Sequence, residues 1–190
     1  MAVNLQKGQK ISLEKADGSS LSQISMGLGW DVAKGIFGIG GGSIDLDASC
    51  VMFDELKRVT DTVWFRQLQS RDGSIRHSGD NRTGDGDGDD ETIHVDLNRV
   101  PSEVKSLVFT VNSFTGQNFG KVANATCRLI DNTNRTEVAK LDLSDVKGPH
   151  TAMIMAKVYR HNGAWKMHAI GANATGRTFQ DLLPRILPHL

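Results

Sequence analysis

Along most of this chain apolar and polar residues alternate one for one. In Ser106-Leu107-Val108-Phe109-Thr110-Val111-Asn112, Leu107, Phe109 and Val111 fall on one face of an extended backbone. The segment from Thr151 to Arg160 alternates likewise, setting Ala152, Ile154, Ala156 and Val158 against Met153, Met155 and Tyr159. Similar runs at 10–13, 21–28, 44–53, 62–67, 91–97, 125–130, 137–143 and 165–171 predict about ten short strands. Residues 3–5 are expected to join a sheet as well. Turn signals punctuate the runs at Asp17-Gly18, Asp72-Gly73 and Asn162-Gly163, and the last reads as a two-residue hairpin. No helical pattern alternates with the strands. The fold class is therefore all-β, a two-sheet antiparallel β-sandwich.

Helical spacing is confined to the far end. Between Arg177 and Leu187 apolar residues recur at three- and four-residue intervals, with Thr178 as the candidate cap and Pro184 as a kink. Residues 1–190 read as a single domain, with a glycine-rich insert at 35–42 and a C-terminal helical extension at 174–190. A chain of 190 residues buries enough surface to fold without staples.

Charge and cysteine content exclude several classes. Lys and Arg total 22, as do Asp and Glu, so no global field draws the protein to nucleic acid or anionic membrane. The opening residues carry no apolar signal segment, and no run approaches a membrane span, so the expected compartment is the cytoplasm. Cys50 and Cys127 lie in strand-like runs and are expected to be buried, reduced thiols. The six histidines are scattered without zinc or iron ligand spacing. Gly38-Ile39-Gly40-Gly41-Gly42 lacks the Lys-Ser/Thr of a phosphate loop.

Neutrality hides one imbalance. From Asp80 to Glu91 there are six acidic residues against Arg82, a net charge of −5 in twelve positions. Glycines at 84, 86 and 88 let the backbone turn carbonyls inward among these carboxylates. Hard oxygen ligands from side chain and main chain are what Ca²⁺ takes, six to eight of them at roughly 2.3–2.6 Å. An EF-hand is excluded, because Asp90 stands where its glycine belongs, Asp96 where its last Glu belongs, and the flanks read as strands. The bland alternative is a solvated acidic loop. Further carboxylates lie at Asp31, in the 27–31 turn, and at Asp45 and Asp47. On a strand Asp45, Asp47 and Ser49 share one face, opposite Leu46, Ala48 and Cys50. That face suits a cation cradle or an ordinary solvent-facing strand equally well.

Several blocks together closely resemble the TerD family of tellurium-resistance proteins. They are Val3-x-Leu5-x-Lys7-Gly8, Gly27-Leu28-Gly29-Trp30-Asp31, Asp45-Leu46-Asp47-Ala48-Ser49, His77-Ser78-Gly79-Asp80-Asn81-Arg82-Thr83-Gly84 and Gly88-Asp89-Asp90-Glu91. Phe119-Gly120-Lys121-Val122-Ala123-Asn124-Ala125, Tyr159-Arg160 and Trp165-Lys166-x-His168-Ala169-x-Gly171 extend the match from about residue 3 to 171. The insert after Asp31 and the C-terminal extension look most like the TerZ branch. The resemblance implies a calcium-binding sandwich of the tellurite and general stress-resistance system. It implies as metal ligands Asp31, Asp45, Asp47, Asp80, Asn81, Asp85, Asp87, Asp89, Asp90 and Glu91, with room for two Ca²⁺ ions. Asp85 and Asp87 stand where relatives often carry Glu or another residue.

The expected role is a binding or scaffold module rather than an enzyme, with calcium and other stress-resistance proteins of the same system as partners and no nucleic acid. Two alternatives stay open. Paired carboxylates also serve metal-dependent hydrolases, although no nucleophile or base stands beside them. A calcium-dependent membrane module would need basic or apolar residues around the acidic loop, where only Arg82 and His77 stand. Membrane association is therefore expected only through a complex.

Overall fold

Twelve strands and one short helix make up the described part of the computed structural model. It describes residues 2–15, 17–32, 45–79, 89–143 and 148–190, with the backbone alone at 31–32, 121 and 123–124. One sheet has the order β1-β10-β9-β3-β7-β6, from Val3–Leu5, Thr136–Asp142, Val122–Asp131, Gln23–Val32, Glu91–Asp96 and Ile75–His77. The other has the order β2-β12-β11-β8-β4-β5, from Lys10–Ser12, Ala164–Ala174, Ala152–His161, Val104–Ser113, Leu46–Asp54 and Val59–Val63. All neighbours are antiparallel except β1 and β10, which run parallel.

The period-two pattern sets which side chains meet between the sheets. Ile24, Met26 and Leu28 of β3, Ile93 and Val95 of β7, Leu46, Ala48 and Cys50 of β4, and Leu107, Phe109 and Val111 of β8 form the inter-sheet core. β11 departs from strict alternation. Its register shifts between Ile154 and Ala156, so Ala152 and Ile154 face outward while Ala156 and Val158 face the core. An extra residue in one strand inverts every side chain beyond it.

The outward-facing Ala152, Ile154, Val51, Phe53 and Val108 are covered by the helix α1, Phe179–Ile186, through Phe179, Leu182 and Ile186. Thr178 is its N-cap, and the Asp181 carboxylate accepts the backbone N–H groups of Arg177 and Thr178. Pro184 sits within the helix, which runs on to Ile186. Trp64 meets Phe179 edge to face at 5.2 Å. No described helix is long and apolar enough to cross a membrane.

The Asn162-Gly163 hairpin is present between β11 and β12, with φ of 51° and 81°, the left-handed pair that such a turn requires. Three readings need correction. The 27–31 turn does not exist: β3 continues through Gly27 and Gly29 to Val32, with a register shift between Gly29 and Asp31. The strand expected at 62–67 lies instead at Val59–Val63, because Trp64 and Gln67 pair with each other across a tight turn. β6 was not anticipated, since three residues are too few to show a period. The glycine-rich insert at 35–42 lies outside the described residues.

Candidate functional site

The start of β7, the late part of β3 and the start of β4 meet at one end of the sandwich. Asp90 fastens the acidic segment to β3: its N–H donates to the Leu28 carbonyl at 2.8 Å, and its Oδ2 accepts the Trp30 N–H at 2.9 Å. Trp30 is buried in the inter-sheet core beside this contact.

Glu91, the first residue of β7, turns into the core with no exposed surface. Its Oε2 accepts the Ala48 N–H at 2.6 Å and lies 3.3 Å from His77 Nε2, which is 3.2 Å from the Ala48 carbonyl. His77 Nδ1 accepts the Gly79 N–H at 3.0 Å, which leaves the ring proton on Nε2, facing Ala48 and Glu91. β5 pairs with β4 only from Cys50 onward, so Ala48 lies past its end. Glu91 and His77 thus supply Ala48 with the acceptor and donor that another strand would give, and they tie the two sheets together.

Asp89 lies across the outer face of the first sheet. Its Oδ1 accepts from Arg128 Nε at 2.8 Å, and Arg128 also reaches Glu137 Oε2 at 3.4 Å. The carboxylate covers Gly27 so closely that a Cβ there would stand 2.0 Å from Asp89 Oδ2. Gly27 is therefore the residue that makes room for Asp89.

Asp47 is buried on β4 opposite Asn112, alternating with the core residues Leu46 and Ala48, and half-buried Asp45 precedes the strand. The Asp31 backbone lies in β3 opposite Ala123. Asp80, Asn81, Asp85 and Asp87 lie outside the described residues. The three sequence blocks are thus joined by named hydrogen bonds, but three of the described carboxylates diverge. Asp89 faces out from one sheet, Asp47 out from the other, and Glu91 lies between them. Among the described residues no group of three or more His, Cys, Asp or Glu side chains is placed to hold a metal ion.

Sequence reasoning missed His77 as a structural partner and missed Arg128 altogether. Arg128 carries one local signal, a cation on the outward face of a strand otherwise built into the core.

The thiols offer no redox pair. Cys50 lies in the second sheet and Cys127 in the first, both fully enclosed. Burial, with a contribution from Asp61, pushes the Cys50 thiol well above its ordinary value. Burial, with Asp89 nearby, pushes Cys127 up to about 12.

Known proteins fit this architecture. The TerD domain matches residues 1–185. The tellurium resistance protein TerZ of Serratia marcescens is 48% identical over 186 residues, covering 95% of this chain and 94% of that protein. The stress response protein SCP2 of Bacillus subtilis is 40% identical over 199 residues, covering 97% and 99%. A crystal structure of a Streptomyces coelicolor homologue of the telluride resistance protein TerD superposes with a TM-score of 0.67 at 23% identity, covering 84% of this chain and 92% of that one, a likeness of fold. With the family's domain spanning nearly the whole sequence and full-length relatives well above chance identity, the chain belongs to the TerD family of tellurium-resistance and stress-response proteins.

Proposed function

We propose that this protein is a calcium-binding module of tellurite and general stress resistance, acting by binding other proteins of the same system and not by catalysis. The observation that carries the reading is the fastening of Asp90 to Leu28 and Trp30, which brings the end of a −5 segment beside the strand that carries Asp31, with Glu91 next to it bonded to Ala48 of the strand that carries Asp47. The donor set is all oxygen, as Ca²⁺ requires, and six acidic residues within the twelve positions 80–91 would repel one another without a cation.

Not every expected ligand has the same part in this reading. Asp89 engages Arg128, and Glu91 engages Ala48 and His77. Both therefore fix the frame, while Asp31, Asp45, Asp47, Asp80, Asn81, Asp85, Asp87 and Asp90 are the direct ligands. A cation bound by the folded state alone stabilises it, by about 2.7 kcal/mol at a hundredfold excess over Kd. Melting in EGTA and in millimolar calcium tests this. Calcium should raise the midpoint, and Mg²⁺ should raise it less because it prefers a small octahedral shell with retained waters. Identical midpoints in EGTA and calcium would remove the reading.

A further inference from the structure

The outer face of the first sheet carries a polar relay that the calcium reading leaves unused. Arg76 of β6 pairs with His94 of β7, and His94 pairs with Ser25 of β3. Ile75, Ile93, Val95 and Ile24 point into the inter-sheet core, so the residues alternating with them, Arg76, His94, Asp96, Gln23 and Ser25, point outward. Ser25 is buried all the same. Its Oγ donates to Asn132 Oδ1 at 2.8 Å and lies 2.7 Å from His94 Nδ1. A hydroxyl has one proton to give. With that proton on Asn132, the histidine contact is made by Nδ1–H donating to Ser25, which leaves Nε2 as a bare acceptor. His94 is exposed, and Nε2 has no partner among the described residues. Burial, then Arg76, then His77 hold the ring below its ordinary value, so near neutral pH it keeps that lone pair.

Beside this nitrogen the surface sinks into a cavity of about 210 Å³, whose walls include Gln23, Arg76, His94, Asp96 and Asn132. Sites for drug-sized ligands run from about 300 to 1,000 Å³, so this one suits a molecule of few heavy atoms. Two opposite charges line it without meeting. Arg76 forms no ion pair among the described residues. Asp96 accepts the Asn98 N–H through Oδ1 at 3.1 Å and meets no cation among them. Asp96 stands two residues from His94 along β7, roughly 7 Å, with Arg76 on the neighbouring strand. A lone anion here would face the Asp96 carboxylate and a nitrogen with no hydrogen to give. A lone cation would face the Arg76 guanidinium. A ligand that satisfies all three brings a carboxylate to the arginine fork and N–H donors to Nε2 and Asp96.

We propose that this cavity binds a small zwitterion with a primary ammonium group, an α-amino acid such as glycine or alanine. Its carboxylate lies on Arg76, and its ammonium is shared by His94 Nε2 and Asp96. Ser25 is a positioning residue that holds the imidazole in the accepting tautomer. The site lies at the start of β3, five residues or about 17 Å from Leu28, where the acidic segment is fastened. It is therefore separate from the acidic end and does not rest on the calcium reading. Charges on an open surface are screened, so the affinity is on the order of millimolar.

NMR titration of the full chain with L-alanine near neutral pH tests the proposal. Saturable shifts are expected at the His94 ring and the Arg76 guanidinium, with Trp30 and Asp90 unmoved. Glycine betaine, which has no N–H to donate, and inorganic phosphate, which has no cation, should give no saturable shift. Arg76→Gln and His94→Phe, both at exposed positions, should each weaken alanine binding about tenfold or more, a loss of at least about 1.4 kcal/mol. Ser25→Ala should weaken it too and let the ring proton move to Nε2, which the ¹⁵N shifts of the imidazole report. No saturable shift with alanine overturns the proposal. So does betaine or phosphate binding as tightly as alanine, or affinity unchanged in Arg76→Gln and His94→Phe. A ring proton that moves in Ser25→Ala with alanine affinity unchanged overturns the part given to Nε2.

Discussion

The Ala48 amide donates to Glu91 Oε2 at 2.6 Å, joining a strand of one sheet to the first residue of a strand in the other. The contact is wholly buried and is completed by His77, whose Nε2 faces both the Glu91 carboxylate and the Ala48 carbonyl. The described residues on either side of segment 80–88 are fixed to the core, Gly79 through His77 and Asp90 through β3.

Removing the Glu91 carboxylate should therefore destabilise the whole domain. Glu91→Ala leaves the Ala48 N–H without its acceptor inside the core and strips the His77 ring of its carboxylate neighbour, a cost of about 2–4 kcal/mol. At roughly 2–4 °C per kcal/mol for a chain of this size, the melting midpoint should fall by about 5–15 °C. Glu91→Gln keeps an acceptor and should cost less. Unchanged melting of Glu91→Ala would show that the joint carries no stability.

Gly27 and Asp89 should be energetically coupled. A methyl at position 27 collides with the Asp89 carboxylate and displaces it from Arg128. Gly27→Ala alone should cost about 1–3 kcal/mol, as overpacking does. In the background of Asp89→Ala the three carboxylate atoms nearest the methyl are gone, so the double variant should be more stable than the two single losses predict. Denaturant unfolding of the four proteins measures this, and strict additivity would contradict the contact.

Strands, faces and the terminal helix were legible in the sequence because each depends on local spacing. Leu46, Ala48 and Cys50 point inward, Val3–Leu5 pairs into a sheet, and Thr178 begins the helix. The bulge in β11 was not legible. Ala152 to Val158 alternates without a break, and the inversion at Ile154 arises from pairing with β8 and β12. Nor was the partnership of Glu91, His77 and Ala48, which are brought together by sheet stacking and not by spacing. The same limit made Gly27 look like a turn residue. Its glycine answers to a carboxylate sixty-two positions away in sequence, not to backbone conformation.

Neither thiol should react in the folded protein. Cys50 and Cys127 are enclosed, and both resist ionisation because of burial. Ellman's reagent at pH 8 should titrate no thiol in the native state and two after denaturation. A fast-reacting native thiol would contradict the described core.

His168 should titrate below the ordinary histidine value of 6.5, first through burial and then through Lys10, Lys157 and His189. Between its lowered folded value and 6.5 the unfolded chain binds the proton more readily, so this residue makes stability fall as pH drops below about 6.5. An NMR titration of the His168 ring should show the low midpoint, and Lys10→Gln should raise it. A midpoint at or above 6.5 would contradict this setting of burial and neighbouring cations.

The central claim is that the acidic end of the sandwich holds calcium, and calorimetric titration of Ca²⁺ into the metal-free protein tests it most directly. Saturable binding is predicted, weakened by about tenfold or more (at least 1.4 kcal/mol) in Asp45→Asn and in Asp90→Asn. Asp17→Asn, in the turn where that carboxylate accepts from Ser19, should bind as wild type does. No binding heat in the wild type, or binding that survives both ligand substitutions unchanged, would contradict the account.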